Sequence, residues 1–240
     1  HHCPATTLFR SQGMAQRASE AKQSLDAKTS PVSGPVSITA APSFAFDFLA
    51  PFAATLKRKH PHITLKVISG MERLNLSRGE VDIALRLRKT SFDDPDLIIL
   101  DEIQIPTGIY ASREYAQTLP GKYDFHDIDW IAWPDEYEAL SPNPELADKI
   151  PEFRPVFTSD DYSVQVAACQ AGVGAMVLLK TLHRLKHTSE LVELNLKASP
   201  AFSPPLAIMC HKRLVDLPKV RSVVTLLVQE FTRLRDESEI

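Results

Sequence analysis

Between Val36 and Leu85 the chain spells strand, helix, strand, helix, strand, and this alternation restricts its fold more than any other feature. In VSITA (residues 36–40) Val36, Ile38 and Ala40 share one face while Ser37 and Thr39 share the other, the period of two that marks a strand. After Ala41-Pro42, residues Phe44, Phe48, Phe52 and Leu56 recur on one helical face, with Ser43 as the expected N-cap. Pro51 is expected to bend or interrupt that helix, and His60-Pro61 to end it. ITLKVI (63–68) predicts a second strand, residues 72–78 a short helix, and Val81 to Leu85 a third strand. Parallel neighbours need crossovers of a dozen or more residues, so this spacing predicts a mostly parallel sheet with helices on its faces.

The pattern then changes. LIILDEIQI (97–105) and TGIYAS (107–112) are two extended runs separated only by Pro106, too close for a helix between them. Here the chain is expected to pass from one lobe to another. Beyond it the alternation resumes: SREYAQTL reads as helix, residues 129–133 and 154–158 as extended, and 160–172 as helix. Strands follow at 174–179, in LVELNL and at 206–211. Val220, Val224, Leu227, Phe231 and Leu234 then mark a closing amphipathic helix.

A chain of 240 residues with 44% apolar and 24% charged side chains can bury a substantial core. Its 27 basic and 30 acidic side chains leave a net charge of −3, which excludes a uniformly basic nucleic-acid module. The absence of a long apolar run and of a secretory pattern predicts a cytoplasmic protein without a membrane span. Cys3, Cys169 and Cys210 form no C-x-x-C pair, so neither a disulfide framework nor a zinc ribbon is expected. Residues 1–34 are expected to be a tag and linker-helix remnant. Residues 14–28 are rich in helix formers but carry almost no apolar stripe, and the prolines and glycine of TSPVSGP (29–35) break any helix.

Catalysis finds little support, because the chain has no G-x-S-x-G elbow, no phosphate-binding P-loop and no H-E-x-x-H pair. Gly172-Val173-Gly174 follows a helix and opens a strand, the reverse of a dinucleotide fingerprint. His60 with His62 reads as a solvated helix end, the Asp93, Asp94 and Asp96 loop as a polar turn, and Asp160-Asp161 as helix capping. No catalytic residue, metal or cofactor is therefore expected. Ligand binding fares better, since open α/β sheets take ligands beyond the carboxyl ends of their strands, where helix N-termini converge. Ser43 and Phe44 stand at such a place, as a ligand contact or a simple cap. Arg86 and Arg88 close the third strand and could reach a mouth or pair with a surface acid. Pro106-Thr107 and Thr158-Ser159 are the corresponding polar positions across the cleft, and Trp133 could wall it or sit in the core.

Five stretches in order carry a resemblance: the segment from Gly34 through HPHITLKV, then LSRGEVDIALRL, TGIYASREYAQTLP, FTSDDYSVQVAACQAGVGAMVLL, and HKRLVDLPKVRSVVTLLVQEF. Together they resemble the effector-binding domain of LysR-type transcriptional regulators. The resemblance implies two Rossmann-like α/β lobes joined by two crossover strands, a type 2 periplasmic-binding-protein-like fold. Lobe I would span 35–102 plus 207–240, and lobe II 103–206. It implies a small effector held between the lobes by Ser43, Phe44, Gly70, Met71, Arg86, Thr107 and Ser159, to which the reading of the residues adds Trp133; Arg86, Arg88 and the helix N-terminus lean toward a carboxylate, and Phe44, Met71 and Trp133 suit an aromatic molecule equally well. It also implies a homodimer or tetramer that reaches DNA through an N-terminal helix-turn-helix domain outside this chain, with residues 14–28 as the end of a linker helix. One departure is AMVLLK (175–180), where relatives commonly place a proline after the leucine. Two rivals share the architecture: a solute-binding protein of a transport system, and an enzyme built on the same cleft.

Overall fold

The computed structural model describes residues 31–71, 74–87, 95–180, 190–196 and 205–238. The expected helix at 14–28, Cys3, Arg88, Asp93 and Asp94 lie outside them. Two sheets organise the chain. In the first, β1 (Gly34–Ala40) lies between β2 (Ile63–Ser69) and β3 (Ile83–Leu87), parallel to both. On the far side of β3, β10 (Leu206–His211) and β4 (Leu97–Ile103) add two antiparallel pairings, giving the order β2-β1-β3-β10-β4. The sheet is thus mixed where the spacing predicts a mostly parallel one, because β10 returns from the second lobe to pair on the open edge of β3.

In the second lobe β5 (Thr107–Ser112) pairs antiparallel with β8 (Ala175–Leu179) and β9 (Leu191–Glu193). The short parallel pair β6 (Ile131–Ala132) and β7 (Phe157–Thr158) adjoins β8 through a bridge between Trp130 and Ala175. The chain crosses between the sheets from β4 to β5 through Gln104, Ile105 and Pro106, and β10 lies back in the first sheet.

Strands β3, β10 and β5 are buried on both faces, so their buried residues are apolar on both sides, whereas β1 keeps its alternation. Ile83 and Leu85 of β3 enter one core with Val36, Ile38, Leu206 and Ile208, while Ala84 enters another with Ala207 and Met209. Likewise Ile109 and Ala111 of β5 pack beneath the sheet with Phe125 and Trp130, and Tyr110 packs above it with Met176 and Leu178. The closing helix α5 (Pro218–Ser238) buries Val220, Val223, Leu227 and Phe231 against the first sheet, and Phe231 meets Phe48 at 5.7 Å between ring centroids.

Four local expectations are corrected. The first helix, α1, runs through Pro42–Phe44, Ala45–Leu49 and Ala50–Lys59 without a break at Pro51. Proline has no N–H to give and its ring crowds the carbonyl four residues back, so the preceding turn widens, and Ala50 donates to the carbonyl of Ala45, five residues away. Its N-cap is Ala41 and not Ser43: Pro42 takes the first helical position, which its fixed φ suits. No helix forms in the described part of 72–78. Leu76–Gly79 is a turn in which Asn75 accepts from the Arg78 N–H at 3.0 Å, and Gly79 adopts φ +71°. The third strand starts at Ile83, since Asp82 accepts from both the N–H and the hydroxyl of Ser37, at 2.7 Å each, in place of a ladder bond.

The Gly172-Val173-Gly174 triplet has a structural explanation. Gly172, at φ +83°, ends helix α4 (Tyr162–Gln170), its N–H bonding the carbonyl of Cys169 while that of Val173 bonds Ala168, the paired closure of a Schellman motif. Gly174 passes so close to the Asp129 carbonyl that a Cβ there would lie 2.1 Å from the oxygen.

Candidate ligand cleft

The carboxyl ends of β1, β2 and β3 converge on one side of the first sheet. The N–H of Gly70 donates to the carbonyl of Ala40 at 3.2 Å, which holds the end of β2 beside the start of α1. Arg86 leaves β3 next to them, and its guanidinium donates to the carbonyl of Leu74, tying the 74–79 turn to the strand. Ser43, one residue into α1, faces the second lobe.

From that lobe comes the loop after β6. Trp133 is buried and held at both ends of its peptide by Asn143, and its indole N–H donates to the Ser141 carbonyl at 3.0 Å. Helix α4 supplies Tyr162 and Gln165. Its N-cap Asp161 accepts from Ser163, and the hydroxyl and N–H of Ser163 hold the Asp161 carboxyl below the usual carboxylate range. Gln165 is fastened by donating to the carbonyls of Ala132, at 3.3 Å, and Ser159.

Two cavities lie between these elements. One, of about 160 Å³, is bounded by Thr39, Ser43, Phe44, Gly70, Met71, Arg86, Trp133 and Leu140 among others. The second, of about 80 Å³, extends toward the crossover and is walled by Ile105, Thr107, Ile131, Tyr162, Met176 and Leu178. Ser43, Phe44, Leu87, Trp133 and Ser141 line both, so the two are neighbouring chambers of one cleft.

Of the eight positions singled out in the sequence, Ser43, Phe44, Gly70, Met71, Arg86, Thr107 and Trp133 border this cleft. Ser159 does not. Its hydroxyl accepts from the N–H of Asp161 at 3.1 Å and its carbonyl from Gln165, so it shapes the entry to α4 instead of facing the cavity. Sequence reasoning passed over Tyr162, Gln165, Ser141 and Leu140. Tyr162 and Gln165 had a readable signal, three residues apart on one face of the helix that Asp160-Asp161 announces; the 140–142 turn had none. Among the described residues no group of three or more His, Cys, Asp or Glu side chains could hold a metal ion, and no helix is long and apolar enough to cross a membrane.

A model of the LysR substrate binding domain matches residues 29–232 of the chain. The HTH-type transcriptional regulator DsdC of Escherichia coli K12 is 32% identical over 99 residues, which cover 39% of this chain and only 29% of that protein. Among solved structures, the regulatory domain of CrgA, a LysR-type transcriptional regulator from Neisseria meningitidis, superposes with a TM-score of 0.68 at 22% identity, covering 83% of this chain and 99% of that one. Full-length CbnR in complex with its target DNA superposes with a TM-score of 0.64 at 12% identity, over 95% of this chain and 81% of that one.

Proposed function

The chain belongs to the LysR substrate-binding domain family and has its two-lobed, type 2 periplasmic-binding-protein-like fold, and on that premise we propose that it senses a small molecule for a transcription regulator. The observation that carries this reading is the cleft itself: two adjoining cavities whose walls come from both lobes, so that a bound molecule touches both at once. A ligand shifts an equilibrium between lobe orientations only if it binds one of them better, and a site shared by two lobes has that property by construction. We assign it binding without turnover, in the cytoplasm, in a homo-oligomer whose DNA contacts are made by a segment outside this chain. We draw the lobes at 35–103 plus 206–240 and at 104–205, one residue from the expected 102/103 and 206/207 boundaries, because Ile103 closes β4 and Leu206 opens β10 in the first sheet.

The lining also bears on the class of effector. Phe44 and Trp133 give the larger chamber aromatic walls, Met71 and Leu140 add apolar contact, and its volume of about 160 Å³ is close to that of apolar cavities, of about 150 Å³, that admit benzene. Ser43, Thr39 and Arg86 place hydroxyls and one cation at the strand ends. We therefore propose an effector the size of a single ring, with an apolar body and one hydrogen-bonding or anionic end. Saturation-transfer NMR with benzoate, benzamide and cyclohexanecarboxylate tests this directly. Transfer to at least one of them, abolished by Met71→Trp, is the expected result; transfer to none, or transfer indifferent to that substitution, argues against the class.

A further inference from the structure

One buried acid of the first lobe is satisfied from the second. Asp47 is 4% exposed, in the widened turn of α1 ahead of Pro51. That turn buries Asp47, Phe48 and Leu49 in succession, which a regular helical turn on a surface helix would not do. The Asp47 Oδ2 accepts a hydrogen bond from the hydroxyl of Tyr162 at 2.8 Å, across 115 positions of sequence. Tyr162 is 5% exposed, and its ring meets Phe46 edge-on at 6.2 Å between centroids. Phe46 and Asp47 therefore grip both the flank and the tip of one tyrosine.

Tyr162 is also a wall of the cleft, in the chamber nearer the crossover. It opens α4 next to a firmly bonded cap, so its backbone is fixed in the second lobe and its side chain reaches into the first. Hydrogen bonds to a carboxylate are roughly twice as strong as neutral ones, and a buried carboxylate stripped of a donor is costly. Separation of α1 from α4, and so of the two lobes, breaks this bond.

We propose that Asp47 and Tyr162 form the clasp that holds α1 to α4 and sets the relative orientation of the two lobes. Its role in sensing rests on the function proposed above: a molecule in the cleft that displaces the Tyr162 ring loosens the clasp, and one that packs against it tightens it. Tyr162 is a positioning residue in this account.

Amide hydrogen exchange followed by mass spectrometry, on the chain without any added ligand, tests the clasp. Tyr162→Phe keeps the ring and removes only the hydroxyl. Exchange in segments 42–49 and 162–170 should quicken by about tenfold, corresponding to about 1.4 kcal/mol, while the central strands 34–40 and 107–112 keep the native rate. Asp47→Asn, which retains an acceptor oxygen, should stay within a few-fold of the native protein. Asp47→Ala combined with Tyr162→Phe should exchange no faster than Asp47→Ala alone. Native exchange in Tyr162→Phe, or effects that multiply in the double variant, would overturn the proposal. Because no ligand is added, the clasp can fail while the cleft still binds, and can hold where no effector is found.

Discussion

Trp133 and Asn143 hold one another through a reciprocal pair of hydrogen bonds: the Trp133 N–H donates to Asn143 Oδ1 at 3.1 Å, and Asn143 Nδ2 donates to the Trp133 carbonyl at 2.9 Å. The amide side chain thereby does for this peptide what a neighbouring strand would do, at the point where β6 ends and the cleft wall begins. Both groups are buried, so removing the side chain strands a donor and an acceptor together. Asn143→Ala should lower stability by about 2–3 kcal/mol, measured by urea unfolding. Asn143→Asp should be worse, because a carboxylate oxygen then faces the Trp133 carbonyl.

Gly174 is a second point of close approach. A methyl group there meets the Asp129 carbonyl oxygen, a backbone atom that already accepts from the N–H of Ala175 at 2.8 Å. Gly174→Ala should cost about 3 kcal/mol, at the upper end of overpacking substitutions, since the bridge that joins β6 to β8 must shift. Thermal unfolding checks this, with an ordinary melting temperature as the contrary result.

Cys210 is fully buried on β10, and burial next to Asp82 pushes its thiol up to about 12. The thiolate is the reactive form, so Cys210 should resist iodoacetamide at pH 8 in the folded protein and react readily in urea. The same shift has a sign in stability. Below pH 9.0 the thiol is protonated folded and unfolded, and contributes no slope; above it the unfolded chain loses the proton first, so stability falls as pH rises toward about 12. Cys210→Ala should flatten that alkaline decline in urea midpoints measured from pH 8 to 10.

What the sequence made legible was whatever depends on neighbours along the chain. The strands at 63–69 and 107–112 and the helices at 113–118 and 162–170 follow from period, caps and breakers that lie within a few residues of one another. Pro51 was legible only in part: its missing N–H was visible, but the adjustment to it, a turn widened by one residue instead of an interruption, is only one of several that a helix can make. The cleft positions on strand ends, such as Ser43, Met71 and Arg86, were legible because topology brings those ends together. The place of Tyr162 on its helix was legible too, but its pairing with Asp47 was not, since the two are 115 residues apart and neither residue type announces the other. Ser159 was drawn in by its place before a helix, where its hydroxyl serves the backbone of Asp161.

The central claim is that a small molecule occupies the cleft between the lobes. Thermal unfolding against a panel of single-ring acids, amides and alcohols tests it most directly, because a ligand specific to the native state adds about 2.7 kcal/mol at one hundred times its dissociation constant. The account predicts at least one compound that raises the melting temperature of the native chain, and an effect sharply reduced in Ser43→Val and in Arg86→Met. A flat response across the panel, or a stabilisation that survives undiminished in both variants, would contradict it.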